Sequence, residues 1–339
     1  MNENKISKDC IHCGICSKNC DFLNKYKLDL AGFEDREDLA YNCFMCGKCK
    51  IVCPKNIDGK LIAKKMRDKK CAENNGKIPE KGYSGLLLEK KNYIFKNYKN
   101  VDTKKSQLEK DTKGKSVLFT GCNFLSYMPQ TADKLIEEMR AKDIGVVFDC
   151  CGKPIYELGL NDESKDIIKN LEKRLADNNI TELVMVCPNC YYYLKDKIDI
   201  KMVDIYTKMK ELAIGKELEG EKILFRPCPD REEGILLNSI KNSNKNIRVE
   251  CLNEQCCGAG GCATVKEGEL SKSMRIDVKE QLSRQKLSTY CSTCFGFFKS
   301  EGIDVSHILS DMLEVKEEKK SNSLINRMKY KFYREKKKK

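Results

Sequence analysis

The sequence of 339 residues contains only two histidines and no hydrophobic run approaching the length of a membrane span. So few histidines argue against histidine-based acid–base chemistry and against a zinc hydrolase centre. The first ten residues, MNENKISKDC, carry no apolar stretch and are therefore not expected to be a secretory signal. The longest apolar runs, such as residues 182–187, are far below the roughly 20 residues that cross a bilayer. These features predict a cytoplasmic protein whose membrane contact is at most peripheral, on the inner face of the cell membrane.

Cysteine is the abundant residue instead, with 21 in the chain. So many cysteines in a chain without a secretory signal point to a reducing compartment and argue against a disulfide framework. Eight of them form two runs with the spacing C-x2-C-x2-C-x3-C, and Pro54 follows the second run. In this ferredoxin pattern, each run gives three ligands to one [4Fe-4S] cubane and its fourth cysteine to the other.

The pattern therefore predicts two [4Fe-4S] clusters with crossed ligand sets. Cluster one takes Cys10, Cys13, Cys16 and Cys53, and cluster two takes Cys43, Cys46, Cys49 and Cys20. A structural zinc site would explain pairs of cysteines with two residues between them but not four cysteines in each run. His12, inside the first run, is expected to be a loop residue near a cluster rather than a ligand.

The formal net charge of +13 treats every cysteine as a neutral thiol. Because cluster ligands are thiolates, two oxidised cubanes would lower the net charge to about +9. No aromatic-basic RNA motif and no zinc-finger spacing accompanies the lysines. We therefore expect no binding to nucleic acid.

Residues 116–315 contain an internal repeat that accounts for ten further cysteines. Cys122, Cys150, Cys151, Cys187 and Cys190 recur as Cys228, Cys256, Cys257, Cys291 and Cys294. The offset is 106 residues for the first three and 104 for the last two. A glycine follows each cysteine pair, and CPNCYYYLK at Cys187 matches CSTCFGFFK at Cys291. This register indicates two copies of one unit.

Short β-branched runs alternate with helical patterns in each copy. The predicted strands cover residues 115–120, 144–148 and 183–186 in the first copy, and 222–225, 247–249 and 287–290 in the second. The predicted helices of the first copy cover residues 131–142 and 164–178. The fold class is therefore α/β, with a small α-helical ferredoxin-like domain followed by a tandem repeat with mainly parallel sheets. The cysteines follow the strands, where open α/β sheets bind their ligands.

The tandem pattern C-x(n)-C-C-G-x(n)-C-x2-C behind a two-cluster domain resembles the cysteine-rich CCG domain of the catalytic subunit of heterodisulfide reductase. It also resembles iron–sulfur subunits of anaerobic glycerol-3-phosphate, lactate and glycolate dehydrogenases, and the likeness covers nearly all of residues 1–315. The resemblance implies two noncubane [4Fe-4S] clusters, each held by the five cysteines of one copy, that together cleave a disulfide. Zinc in one of these sites is the alternative. The spacings depart from the family, with 27 residues before each cysteine pair and 33 after the second pair.

Five segments follow from these patterns. They are a two-cluster ferredoxin-type domain (1–70), a helical linker (71–114), a first CCG repeat (115–215), a second CCG repeat (216–315) and a basic amphipathic tail (316–339). The linker's amphipathic part, GLLLEKKNYIFKNY, is expected to pack on both domains. In the tail, Leu324, Ile325, Met328 and Phe332 recur at helical spacing among basic residues. Such a helix suits an anionic membrane or a partner, and a solvated tail is the alternative.

Two functions fit this organisation. The first is an iron–sulfur oxidoreductase subunit whose cubanes relay electrons to a tandem CCG site that reduces a heterodisulfide or a similar disulfide. The second is a non-catalytic electron-transfer subunit of a flavin dehydrogenase that passes electrons toward quinone. Gly258, Gly260 and Ala263 satisfy G-x-G-x-x-A, the pattern of a dinucleotide-binding loop. Glycines are equally expected, however, where backbone passes close to a cluster. Electrons must then enter from a partner, such as a flavin-containing subunit.

Overall fold

The computed structural model describes residues 5–90, 115–317 and 323–331. The N-terminal part is helical. Its helices are α1 (Ile15–Lys18), α2 (Asp21–Lys25), α3 (Leu30–Glu34), α4 (Lys48–Val52), α5 (Gly59–Glu73) and α6 (Ser84–Lys90), with a 3-10 turn at Glu37–Leu39. Asp58 caps α5 by accepting the backbone N–H groups of Lys60 and Leu61, which satisfies two donors that no helical carbonyl reaches.

The first CCG repeat is a four-stranded parallel sheet with helices on both faces. In chain order its elements are β1 (Lys115–Phe119), α7 (Cys122–Tyr127), α8 (Pro129–Ala141), β2 (Gly145–Val147), α9 (Lys153–Glu157), α10 (Asn161–Asp177), β3 (Ile180–Met185), α11 (Pro188–Leu194), β4 (Lys201–Asp204) and α12 (Ile205–Glu211). The strand order is β2-β1-β3-β4, and every pairing is parallel.

The second repeat has the same topology. Its elements are β5 (Gly220–Phe225), a 3-10 turn at Cys228–Asp230, α13 (Ile235–Ser243), β6 (Ile247–Leu252), a 3-10 segment at Gly260–Val265, α14 (Gly268–Gln281), β7 (Leu287–Thr289), α15 (Ser292–Ser300), β8 (Val305–His307) and α16 (Ile308–Met312). The sheet order is β6-β5-β7-β8, again all parallel. A last helix, α17 (Ser323–Lys331), follows.

The two repeats share one hydrophobic core. Because successive side chains of a strand point to opposite faces, Leu118 of β1 and Leu224 of β5 face this shared core. Their neighbours Val117 and Phe225 belong to separate outer cores, one in each repeat. The two sheets are therefore held together by apolar packing, and the loops after their strands face one region.

The predicted fold class is confirmed: a helical ferredoxin-like part comes first in the chain, and two units of helices and parallel sheet follow it. The apolar stretches that begin at Val203 and Val305 each start with a short fourth strand, β4 or β8, that the sequence did not lead us to expect. Helix α5 runs through the predicted boundary at residue 70. Residues 91–98 of the predicted linker helix lie outside the described residues. Among the described residues, none of the helices combines the length and apolar character that crossing a membrane requires.

Candidate iron–sulfur centres

The first predicted ligand set comes together at the N-terminal end of the molecule. Cys10, Cys13 and Cys16 of the first run line one cavity with Cys53 of the second. Cys13 is exposed, whereas Cys16 is buried. The structure thus brings together the crossed set that the ferredoxin pattern predicts for cluster one.

The second crossed set is more deeply buried. Burial raises the pKa of the Cys20 thiol, and the nearby thiols of Cys46, Cys49 and Cys43 raise it further. Cys20 therefore lies beside the three leading cysteines of the other run. The side-chain amide of Gln255, from the second repeat, approaches this set at 3.6 Å from Cys20 Sγ and 3.9 Å from Cys46 Sγ.

The five cysteines of the first repeat all follow strand ends. Cys122 comes after β1, the pair Cys150–Cys151 after β2, and Cys187 and Cys190 after β3. Cys150 Sγ lies 3.9 Å from Cys122 Sγ. Cys151 Sγ accepts from the thiols of Cys150 and Cys190, and these hydrogen bonds lower its pKa.

The second repeat reproduces this arrangement. Cys294 Sγ lies 3.4 Å from Cys257 Sγ, and hydrogen bonds from Cys256 and Cys294 lower the pKa of Cys257. The glycines that follow the two cysteine pairs both have a left-handed backbone, with φ 81° at Gly152 and 79° at Gly258. A Cβ on Gly258 would lie 2.6 Å from the Ser271 carbonyl oxygen, so close packing also requires glycine there.

The donor chemistry of these sets fits iron–sulfur clusters. The ten repeat cysteines are free thiols, and all except the partly exposed Cys228 are buried. Burial without a metal would disfavour thiolates, whereas cluster irons bind sulfur as thiolate. Each half offers five sulfurs that follow its strand ends, and each N-terminal set offers four.

The two repeat sites open into one shared cavity of about 250 Å³. Nine of the ten repeat cysteines line it, all but Cys150. The thiol of Cys187 donates to Cys291 Sγ across the boundary between the repeats. Asn123 Nδ2 and Thr293 Oγ1 are 2.6 Å apart across the same boundary. The sequence predicts that the sulfurs gather in a crevice, and the structure places both sites at a single one.

Cationic side chains that belong to no motif approach the sulfurs. The ammonium of Lys153 lies in the shared cavity, 2.6 Å from Glu157 Oε1 and 3.0 Å from Asn189 Oδ1. Burial opposes the charge on Lys153, but Glu157 and the Cys228 thiol outweigh that opposition and raise its pKa. The sequence analysis did not identify this lysine as a site residue. Its position directly after Cys151-Gly152 nevertheless indicates that it lies near the cysteines of the first repeat.

The second N-terminal set touches the second repeat. Cys46 donates to Cys256 Sγ, so sulfurs of the two sites are in contact. The guanidinium of Arg231 donates to the carbonyl oxygens of Gln255 at 2.5 Å and of Glu254 at 2.9 Å. Burial opposes the charge of Arg231, but Cys46, Cys228, Cys256 and Cys294 outweigh it and raise its pKa.

The glycine loop of the second repeat serves this contact. Residues Gly260–Val265 form a 3-10 segment, and a Cβ on Gly260 would lie 2.2 Å from the Phe44 carbonyl oxygen. The glycines thus let this backbone pass close to the second cysteine run. This close approach explains the glycines without a dinucleotide-binding role. Cys262, in the same segment, lines the shared cavity.

The remaining histidines and cysteines have other surroundings. His12 Nδ1 is 2.7 Å from Asp29 Oδ2 near the first set, whereas His307 is buried and its pKa is lowered to about 4 by burial. Cys71 is buried, 3.4 Å from the Tyr41 hydroxyl. Cys251 is exposed on β6.

Two protein-family models match these sites. The 4Fe-4S dicluster domain matches residues 6–57, and the cysteine-rich domain matches residues 116–195 and again 225–299. An uncharacterized iron–sulfur protein of Methanococcus maripaludis is 26% identical over 86% of this chain and 65% of its own length. An iron–sulfur relative from Methanothermobacter marburgensis, a component of its fumarate reductase (CoM/CoB), is 25% identical over 86% of this chain and 67% of its own. The chain thus spans about two thirds of the length of these relatives.

Among solved structures, a glutamate racemase of Bacillus anthracis matches 60% of this chain and 79% of its own, with 13% identity and a TM-score of 0.34. That likeness is too low to inform fold or function. The family models and the relatives define an iron–sulfur electron-transfer protein of the oxidoreductase type. The chain belongs to the heterodisulfide reductase-like family, which joins a 4Fe-4S dicluster domain to CCG cysteine-rich domains.

Proposed function

We propose that this chain reduces a heterodisulfide or a similar low-molecular-weight disulfide in the shared cavity between its two CCG repeats. The observation that carries the proposal is that nine cysteines from both repeats line one cavity. We infer the ligand sets predicted from the sequence, with two [4Fe-4S] clusters in the N-terminal part and one noncubane [4Fe-4S] cluster in each repeat. When bound, these clusters supply electrons one at a time.

The contacts between the sites support one order of sites along the path of the electrons. Cys13 is exposed and Ile11 beside it is 58% exposed, which suits a docking surface for an electron-donating partner at the first set. The second set follows, because Cys20 of the first run lies among the cysteines of the second. The contact between Cys46 and Cys256 then leads to the second repeat, and that between Cys291 and Cys187 leads to the first.

The chemical step consumes two electrons and two protons. The S–S bond breaks, and each sulfur gains an electron and a proton, so the products are two thiols. Lys153 is the cation that faces the reacting region, near Cys151 and Cys228. Its charge would stabilise negative charge that develops on a departing sulfur. Asn189 and Glu157 hold the ammonium in that position.

A relay without disulfide chemistry is the second candidate. It is favoured by the relative that is a component of a fumarate reductase, because one chain of such a complex can pass electrons to or from another. In that case the chain serves a flavin dehydrogenase of the glycerol-3-phosphate, lactate or glycolate type. Both candidates require partner subunits, and peripheral contact with a membrane surface remains part of the proposal.

Disulfide turnover by the anaerobic, cluster-loaded protein with a reduced viologen tests the two candidates. Cys151→Ser and Cys257→Ser should each abolish turnover and leave the N-terminal clusters reducible, because both thiols belong to the cavity. Cys251→Ser is the matched control, since Cys251 is exposed on β6 outside the cavity. If the unaltered protein transfers electrons to a partner but reduces no disulfide, the relay is correct and the proposed reduction is wrong.

A further inference from the structure

Arg67 of helix α5 has no exposed surface, although its guanidinium carries a full positive charge. The guanidinium donates to four backbone carbonyl oxygens, those of Ala40 at 2.8 Å, Cys43 at 2.9 Å, Glu157 at 2.9 Å and Gly261 at 2.8 Å. These bonds use all but one of the N–H groups of the guanidinium. The side chain is therefore held in one position from several directions.

The four carbonyl oxygens belong to three parts of the fold. Ala40 and Cys43 lie in the N-terminal part, and Cys43 is a member of the second N-terminal set. Glu157 ends α9 of the first repeat, and Gly261 lies in the 3-10 segment of the second. Both Glu157 and Gly261 line the shared cavity. One guanidinium thus joins the backbone of a cluster ligand to two walls of the cavity.

The surroundings of Arg67 are closely packed. A Cβ on Gly159, where φ is 92°, would lie 2.6 Å from the Arg67 carbonyl oxygen, so helix α5 lies directly against the first repeat. The centre of the Tyr41 ring is 5.0 Å from the guanidinium carbon, and the Tyr41 hydroxyl donates to the Leu158 carbonyl oxygen at 3.1 Å. The charge is therefore shielded from bulk water.

No carboxylate pairs with Arg67 within residues 5–90, 115–317 and 323–331. The next residue along the chain, Asp68, pairs with Lys64 instead. A buried charge that meets carbonyl dipoles but no counter-ion is costly. The stabilisation of this guanidinium therefore calls for a negative group close by.

The second N-terminal set supplies such a group when it holds iron. Its cysteines are then thiolates, and an oxidised cubane with four thiolates carries a net negative charge. The hydrogen bond to the Cys43 carbonyl oxygen places the guanidinium at this set. Burial raises the pKa of the Cys43 thiol to about 11, and the charge of Arg67 opposes that effect.

We propose that Arg67 is the counter-charge of the second N-terminal centre and a positioning residue that fixes this centre against both repeats. The inference rests on the proposed electron path, in which this centre passes electrons to the shared cavity, and it adds the residue that joins the two. Arginine suits both tasks, because it stays charged when buried and its planar fork donates in several fixed directions. A lysine would supply the charge from one nitrogen with three donors, without the fork.

A redox titration of the cluster-loaded chain, followed by electron paramagnetic resonance, tests the charge. Arg67→Gln should lower the reduction potential of the second N-terminal centre, because the more negative, reduced form loses a nearby positive charge. Arg67→Lys should keep a potential close to that of the unaltered protein. Lys69→Gln is the matched control, because it removes one positive charge from the exposed side of the same helix, where Lys69 pairs with Glu37. It should change no potential.

Hydrogen–deuterium exchange followed by mass spectrometry tests the positioning in the same cluster-loaded proteins. Peptides that contain Glu157 or Gly261 should exchange about tenfold faster or more in both Arg67→Gln and Arg67→Lys, because neither side chain reproduces the four hydrogen bonds. Lys69→Gln should leave this exchange unchanged. The lysine variant therefore separates the two roles, since it keeps the charge and loses the geometry.

An unchanged potential of the second centre in Arg67→Gln would overturn the inference, and so would unchanged exchange near Glu157 and Gly261 in both variants. Loss of iron from the second centre in Arg67→Gln with retention in Arg67→Lys would support the counter-charge. Loss of that iron in both variants would overturn it, since shape rather than charge would then decide. Neither measurement involves a disulfide. If both change as expected while no disulfide is reduced, the role of Arg67 stands and the proposed reduction is wrong.

Discussion

The side-chain amide of Gln255 lies 3.6 Å from Cys20 Sγ, although the two residues are more than 200 positions apart in the chain. The same amide is 3.9 Å from Cys46 Sγ. An N–H group that donates to a ligand sulfur stabilises its negative charge and raises the reduction potential of the centre. The second repeat therefore contributes to the electronic surroundings of the N-terminal part.

Gln255→Leu should lower the reduction potential of the second N-terminal centre, because it removes the donor and keeps much of the side-chain volume. The first centre should keep its potential, since Gln255 contacts Cys20 and Cys46 and neither belongs to the first set. A redox titration followed by electron paramagnetic resonance measures both. Gln281→Leu serves as the control, because Gln281 is exposed and bonds Glu254 at the surface. Equal potentials in Gln255→Leu and the unaltered protein would contradict this role.

Local spacing made much of this arrangement predictable. Cysteines with two or three residues between them must lie close together in any fold, so the two runs and the two C-x2-C pairs already define groups of sulfurs. The repeat then predicts two equal units, and β-branched runs predict the first three strands of each unit. Strands β4 and β8 were missed because each runs directly into a helix, α12 or α16, so that strand and helix form one continuous apolar stretch in the sequence.

Contacts between distant parts of the chain could not be predicted in the same way. Gln255, Arg231 and Arg67 lie in no motif, and their positions depend on how distant segments pack. In the tail, helical spacing of Leu324, Ile325 and Met328 predicts an amphipathic helix, and α17 is one. Its inward face is nevertheless polar, because Asn326 and Tyr330 find hydrogen-bond partners on the first repeat.

The number of clusters can be measured directly. Anaerobically reconstituted protein should contain about 16 irons per chain if all four sites hold a [4Fe-4S] cluster, and about 8 if only the N-terminal sites do. Cys13→Ser should lose at most the iron of the first site, because Cys13 is an exposed residue of that set. Cys46→Ser should also perturb the spectrum of the second repeat, because Cys46 contacts Cys256. About 8 irons together with stoichiometric zinc would contradict the pair of noncubane clusters.

The glycine at position 260 should be needed for the contact between the N-terminal part and the second repeat. A Cβ there would lie 2.2 Å from the Phe44 carbonyl oxygen, so Gly260→Ala forces backbone apart. We expect the free energy of unfolding to fall by about 1–3 kcal/mol, as for other overpacked sites. The temperature of half-unfolding of the cluster-loaded protein measures this effect.

Gly268→Ala is the matched control for that substitution. A Cβ at Gly268 meets no atom within 4 Å, and the residue begins helix α14. Because alanine favours the helix over glycine, stability should be unchanged or should rise by up to about 1 kcal/mol. If Gly260→Ala is as stable as Gly268→Ala, the close approach of the two backbones is wrong.

Arg231 should influence two centres at once, since Cys46 belongs to the second N-terminal set and Cys228, Cys256 and Cys294 to the second repeat. A nearby positive charge stabilises the reduced, more negative form of a cluster. Arg231→Met should therefore lower the reduction potentials of both centres, whereas Gln255→Leu should lower that of the N-terminal centre. Arg248→Met removes an exposed guanidinium from β6 and should change neither potential. A shift confined to one centre in Arg231→Met would show that the arginine does not lie between two clusters.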